Sequence, residues 1–351
     1  MAAVSVGGPR GSGGGPGGGS VGGPAVLAIV APALREALFD AESEALLHGA
    51  GSVLFAETLE EGLRRAPEGV AVLITSWGMP LLTAPLLDRL PHLRLVAHIG
   101  ASVKPFATPE LFARGVRITQ AGAAMAPPVA EVSLAFTLAL LHRLPRFDHA
   151  LHAGAEWADA ETQSPRHELA GSVVGVVGAS RTGRAYIAMV RALGARVLLS
   201  DPTIDAAEAA ALGATLVPLD DLLAGSRILA LHAPSLPGTL RMIGARELAL
   251  LPDGAGLVNT ARSWLVDEGA LVAELASGRI DAALDVFDEE PLPVGHPLRS
   301  LPNVLLVPHQ AAGTVEGRRR QGALVASEVA AFRAGRPLAH EVHERDLETM
   351  A

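Results

Sequence analysis

The stretch "GSVVGVVGASRTGRAYI" at 171–187 joins a short apolar run to two closely spaced glycines, Gly178 and Gly183. The run 173–177 has strand character, a helical segment follows Gly183, and the next strand, "ARVLLSD", ends in Asp201. A glycine turn between strand and helix lets backbone amides approach a phosphate at the positive end of the helix. An acidic residue roughly 20 positions on completes a dinucleotide site, because it accepts hydrogen bonds from a ribose. In this frame Gly178 makes the turn and Gly183 lets the helix lie against the sheet. The amides around Ser180, Arg181 and Thr182 then face the pyrophosphate. Asp201 repels a 2′-phosphate, and Pro202 and Thr203 supply no cation, so NAD (NADH) is expected rather than NADP. The middle position of the usual G-x-G-x-x-G holds Ser180, which gives up the left-handed freedom of glycine. Its side chain either crowds the phosphate or donates its hydroxyl to it.

Such groups need a scaffold that aims several strand ends at one place. Strands are predicted at 25–30, 70–75, 93–99 and 116–119, with an amphipathic helix over 33–47. A second series follows at 173–177, 195–200, 214–219, 227–232, 254–260, 281–286 and 303–309. Alternation of strands and helices implies parallel sheets flanked by helices, so the fold class is α/β with two such units in tandem. The segment 127–147 opens with Pro127, carries Glu131 in its first turn and is closed by Pro145. It is either a hinge helix between lobes or an ordinary core helix. A last helix over 315–334 is placed to return to the first unit.

At 351 residues, 49% of them hydrophobic, the chain is long enough for two cored domains. Its net charge of −9 argues against a general partner for nucleic acid or anionic membrane, which attract clustered positive charge. With no cysteine, disulfide and thiolate chemistry are excluded, and a reducing cytoplasm is the expected location. No run of about 18 uninterrupted apolar residues is present. Residues 1–24 are dominated by Gly and Pro without the apolar stretch of a secretory signal, and are read as a disordered tail. Arginine is abundant, yet Lys104 is the only lysine.

Further motifs follow in order: "HAP" at 232–234, "NTAR" at 259–262, "VDEGAL" at 266–271, "GRI" at 278–280, "ALDVF" with "EP" at 283–291, and "PH" at 308–309. With "VAE" at 129–131 and Trp157, this series resembles the D-isomer-specific 2-hydroxyacid dehydrogenase family over about 25–334. The resemblance implies two Rossmann-like doubly wound domains with a cleft between them, the cofactor domain inserted into the substrate domain. Domain limits of 25–126 with 311–345 (substrate) and 127–310 (NAD) follow. It also implies Arg262, Glu290 and His309 as the catalytic trio. His309 supplies a proton, Glu290 orients and charges its imidazole, and Arg262 offers a planar fork to the carboxylate and carbonyl of a 2-keto acid. Ala233, Pro234, Thr260 and Ala261 join the cofactor contacts. Asp285 either holds the nicotinamide side or simply ends a strand. Each residue taken alone has a plainer account: His309 is one of 12 histidines, and Glu290 closes an acidic run.

The family's substrate loop corresponds to "HIGASVKPF" at 98–106, where amides of Ala101, Ser102 and Val103 bind the substrate carboxylate. This chain departs from the family pattern there: Lys104 replaces the usual acidic tail, and is expected to add positive potential for an acidic substrate. Ser263 and Trp264 stand where two small residues are common, so Trp264 either packs beneath the site or narrows it. The spacing before "ALDVF" is one residue short, which could displace Glu290. No C-terminal regulatory domain is expected. The expected activity is interconversion of a 2-keto acid and a D-2-hydroxy acid by a homodimer. The alternatives are a formate dehydrogenase, against which Glu290 speaks, and a non-catalytic NAD(H)-sensing protein. No metal is expected, and His142, His149 and His152 are read as helix surface.

Overall fold

The computed structural model describes residues 25–65, 69–161 and 165–350; the expected tail at 1–24 lies outside the described residues. Among the described residues the strands form two sheets. Val26–Ile29 (β1), Val53–Ala56 (β2), Val72–Thr75 (β3), Leu95–His98 (β4) and Arg117–Gln120 (β5) build the first. Val173–Val177 (β6), Arg196–Ser200 (β7), Thr215–Leu216 (β8), Ile228–Leu231 (β9), Gly256–Asn259 (β10), Asp281–Leu284 (β11) and Val304–Leu306 (β12) build the second. A last strand, Glu341–Val342 (β13), returns to pair antiparallel with β5, so the second unit is inserted within the first. The orders are β13-β5-β4-β3-β1-β2 and β12-β11-β10-β9-β6-β7-β8. Within the second sheet the pairings are parallel, and its central strands β9, β10 and β11 are buried along their whole length. That is the pattern of strands covered on both faces by helices.

Strand order reverses between β1 and β3 in the first sheet, and between β6 and β9 in the second. The carboxyl ends of strands at such a reversal splay the following loops apart and leave a crevice for a ligand. The glycine loop leaves β6 at the second of these reversals, and the loop after β4 leaves the strand next to β3.

Four local expectations change. The predicted helix over 33–47 is two, Pro32–Leu38 and Ala41–Ala50, because Phe39 turns into the core and Asp40 caps the second by accepting from the Ser43 amide at 2.9 Å. The long helix begins at Gly122 rather than Pro127 and runs to Leu141, with Pro127 and Pro128 inside it. Its small first-turn residues are buried, and tertiary packing outweighs the backbone bonds lost to proline. Its end is set by Arg143, at φ +58, and Pro145 instead occupies the first turn of the next helix, Leu144–His152. Strands β2 and β13 were not predicted; one is partly exposed along most of its length and the other has two residues.

Gly122–Leu141 is long and apolar enough to cross a membrane by length and composition. Here it packs against β10, β11 and the helix Arg181–Ala192, burying Ala130, Phe136 and Leu140. The helix Val315–Arg333 matches its prediction and packs on the first sheet through Val325, Ala326 and Val329. Below the second sheet, Asp281 at the start of β11 accepts from Arg143 and, at 2.6 Å, from Arg146. This buried cluster ties the end of the long helix to the sheet.

Candidate active site

Gly178 leaves β6 at φ +98, and a Cβ there would lie 2.6 Å from the Ala233 amide nitrogen. A Cβ on Gly183 would meet the Gly178 carbonyl oxygen at 2.2 Å. Both positions therefore require glycine, one for its turn and the other for close packing of helix on sheet. Ser180 carries no such requirement: at φ −61 and ψ 174 it is extended, and its Oγ accepts from the Gly183 amide at 3.2 Å as the cap of the helix Arg181–Ala192. The serine is thus a helix cap, a role absent from both sequence alternatives. Among the described residues the amides of Arg181 and Thr182 find no acceptor, and they stand free at the helix start. Arg181 itself is exposed.

Asp201 ends β7 beside this loop. Its Oδ2 accepts from the Ala179 amide at 2.6 Å, and its Oδ1 from the Thr203 amide and hydroxyl at 2.8 and 2.6 Å. Burial opposes its charge, but the Thr203 hydroxyl, the two amides and the nearby Arg184 outweigh it and hold the carboxyl below its ordinary value. The glycine cradle, free helix-start amides and ionised strand-end carboxylate together fit a dinucleotide. The remaining cofactor candidates are used differently. Ala233 closes the cradle, and the Pro234 carbonyl accepts from Thr239. Thr260 Oγ1 pairs with Ser133 Oγ at 2.7 Å, and the Ala261 amide donates to Asn259 Oδ1. His232 was quoted in the motif but not assigned. It is buried, stacked on Tyr186 with ring centroids 5.0 Å apart, and pushed down by burial to about 3, so it is a neutral filler beneath the loop.

The catalytic candidates converge. His309 Nδ1 and Glu290 Oε2 lie 2.7 Å apart, which puts the proton on Nδ1 toward the carboxylate and leaves Nε2 free. Glu290 is held by the Phe287 amide on its other oxygen at 3.0 Å, and the short spacing before it does not break the pair. His309 sits at φ +52, a left-handed conformation costly for a side-chain-bearing residue. Asp285 maintains it: its two oxygens accept from the Gln310 and Ala311 amides at 2.8 and 3.0 Å. Neither sequence alternative for Asp285, nicotinamide contact or plain strand end, anticipated this. Burial pushes its carboxyl up, opposed by those amides. Arg262 follows β10 and faces the charge of Glu290, while burial lowers its guanidinium from the ordinary value. Asn259 shapes that turn, donating to the Arg262 carbonyl at 2.9 Å; within "NTAR" it was visible but not assigned.

In the loop after β4 the amides of Ala101, Ser102 and Val103 donate to no acceptor among the described residues. His98 supports the loop from below, pairing with Thr75 Oγ1 at 2.9 Å and stacking on Phe106; burial brings its pKa down to about 4. Lys104 crosses to the second unit, where its Nζ donates to the Ser235 carbonyl at 3.3 Å. Trp264 Nε1 donates to the adjacent Leu236 carbonyl at 2.9 Å, so the ring stands over that loop rather than beneath the site. Among the described residues no group of three or more His, Asp or Glu side chains is arranged to hold a metal.

Residues 134–311 match the family model described as D-isomer specific 2-hydroxyacid dehydrogenase, NAD binding domain. The chain belongs to the D-isomer specific 2-hydroxyacid dehydrogenase family. It is 36% identical over 274 residues to a D-3-phosphoglycerate dehydrogenase of Mycobacterium bovis, covering 78% of this chain and 51% of that one. Against a glyoxylate reductase of Aeropyrum pernix it is 35% identical over 256 residues, covering 72% and 76%. Thus the chain spans about half the length of the phosphoglycerate dehydrogenases it matches. Among solved structures, a 2-hydroxyacid dehydrogenase from Ketogulonicigenium vulgare superposes with a TM-score of 0.76 at 26% identity, covering 92% of this chain and 99% of that one. A phosphoglycerate oxidoreductase from Rhizobium etli gives 0.72 at 28% identity, covering 91% and 98%. NAD(H) is the cofactor of the family member's second unit, in keeping with the cradle described above.

Proposed function

We propose that this family member is an NAD-dependent D-2-hydroxyacid dehydrogenase working chiefly as a 2-keto acid reductase. The observation that carries the reading is the 2.7 Å pair of His309 and Glu290 on a backbone fixed by Asp285, with Nε2 left free. Bound NADH supplies the hydride. His309 gives its Nε2 proton to the developing alkoxide, the transfer for which imidazole is suited near neutral pH. Glu290 keeps Nδ1 protonated and balances the imidazolium before transfer. Arg262 grips the substrate carboxylate and the neighbouring carbonyl oxygen, polarising the carbonyl, while the amides of Ala101, Ser102 and Val103 bind the same carboxylate from the other side.

The proposal includes a substrate domain of 25–126 with 311–345, an NAD domain of 127–310, a cytoplasmic location and a homodimer. Leu144, Leu151 and Trp157 support the last: all three are exposed on neighbouring short helices. The His–Glu pair favours catalysis over a purely sensing role. His309→Ala should lower kcat by roughly 100-fold to 10,000-fold in NADH oxidation with a 2-keto acid panel, NADH binding being retained. Turnover at the original rate would remove the assigned role.

A further inference from the structure

Lys104 carries a charge that the reduction of a simple 2-keto acid leaves unused. Its ammonium is half-buried between the two units, and its acceptor is a neutral carbonyl, Ser235 O, at 3.3 Å. That distance lies beyond the usual N–H···O range. Among the described residues no carboxylate lies within ion-pair distance of it, whereas Arg262 faces Glu290. Burial accordingly draws the ammonium below its ordinary value.

Holding the units together is a poor account of this contact. The loop bearing Ser235 is already fixed, by Thr239 Oγ1 on the Pro234 carbonyl at 2.7 Å and by Trp264 Nε1 on the Leu236 carbonyl at 2.9 Å. The first substrate carboxylate is likewise provided for, by the free amides of residues 101–103 and by Arg262. Lys104 is next in the chain after those amides and points across to Ser235. Its charge therefore lies beside the Ser235–Leu236 loop that Trp264 also contacts, one residue on from the free amides.

Resting on the dehydrogenase reading, we infer that Lys104, with the Ser235–Leu236 backbone and Trp264, forms a subsite for a second anionic group. The preferred substrates are then short 2-oxo acids ending in a carboxylate or a phosphate. On binding, Lys104 exchanges the long carbonyl contact for a charge-assisted one.

The test compares matched acids differing only at the far end: oxaloacetate with 2-oxobutanoate, and phosphohydroxypyruvate with hydroxypyruvate. Wild-type kcat/KM should favour the acid with the second anionic group by roughly tenfold or more in at least one pair. The carboxylate or phosphate pair showing the larger ratio names the group. In Lys104→Met that ratio should fall at least about tenfold, and in Lys104→Arg most of it should remain. A ratio unchanged in Lys104→Met, or no wild-type preference in either pair, overturns the subsite. Calorimetry with succinate against butyrate separates this from failure of the dehydrogenase reading, because neither is reducible. If no 2-oxo acid turns over, tighter succinate binding that Lys104→Met abolishes keeps the subsite and sinks the dehydrogenase reading. Equal binding of the two acids overturns the subsite.

Discussion

Ser180→Ala separates a helix cap from a phosphate ligand. In the structure the Ser180 hydroxyl accepts from the Gly183 amide at 3.2 Å, at the long end of good N–H···O geometry. Removing a serine cap costs about 1 kcal/mol, with glycine at the same place costing only a few tenths. For a unit the size of residues 134–311, 1 kcal/mol lowers Tm by about 2–4 °C. The free amides of Arg181 and Thr182 are untouched by the change, so Kd for NADH should move less than about threefold. Calorimetric melting without cofactor, beside a fluorescence titration with NADH, reads both quantities. Ser180→Gly should recover nearly all the stability. If Ser180→Ala instead leaves Tm unchanged and weakens NADH tenfold or more, the hydroxyl serves the pyrophosphate and the capping argument fails.

Three further outcomes follow from the same geometry. Gly178→Ala forces a side chain onto φ +98 and against the Ala233 amide. Its cost of roughly 2–4 kcal/mol should appear as a lowered Tm and lost NADH binding, and a normal titration curve would contradict the cradle. Asp281→Ala strips the buried Arg143 and half-buried Arg146 of their carboxylate. Unfolding free energy should drop by about 3–5 kcal/mol in urea melts, and a loss under 1 would show the cluster to be solvated. The folded pKa of Asp201 lies below its ordinary 3.8, so its stabilising contribution is complete above that value and lost as pH falls toward the lowered one. Wild type and Asp201→Asn should therefore differ in stability at pH 6, with the difference shrinking as pH falls below 3.8; a constant difference would mean that the charge plays no part.

The alternation of strands and helices was legible because the buried strands are short apolar runs between turn residues, and this alone implied two parallel sheets. What it missed has physical causes. β2 is partly exposed, and β13 has two residues, too few to show a period of two. Phe39 breaks the 33–47 helix by turning into the core, a tertiary event that local spacing does not carry. Pro127 looked like a helix start because proline is favoured there, yet the buried glycine and alanines upstream extend the helix past it.

In the site, the family resemblance pointed to Arg262, Glu290 and His309, while the means of positioning them stayed hidden. A left-handed φ at His309 leaves no mark in a sequence, since only glycine advertises that conformation. Once the strain is known, the buried Asp285 gains its explanation. A carboxylate just beyond β11 accepts two successive amides beyond His309 and so holds the backbone in this shape. The strain then aims Nδ1 at Glu290 and frees Nε2. The same logic applies to Lys104. Sequence placed the one lysine of an arginine-rich chain in the substrate loop and expected positive potential there, whereas the bond to Ser235 shows which carbonyl its charge reaches, with no carboxylate among the described residues within ion-pair distance. A cation without an ion-pair partner among the described residues, one residue on from three free amides, is what the proposed anion subsite rests on.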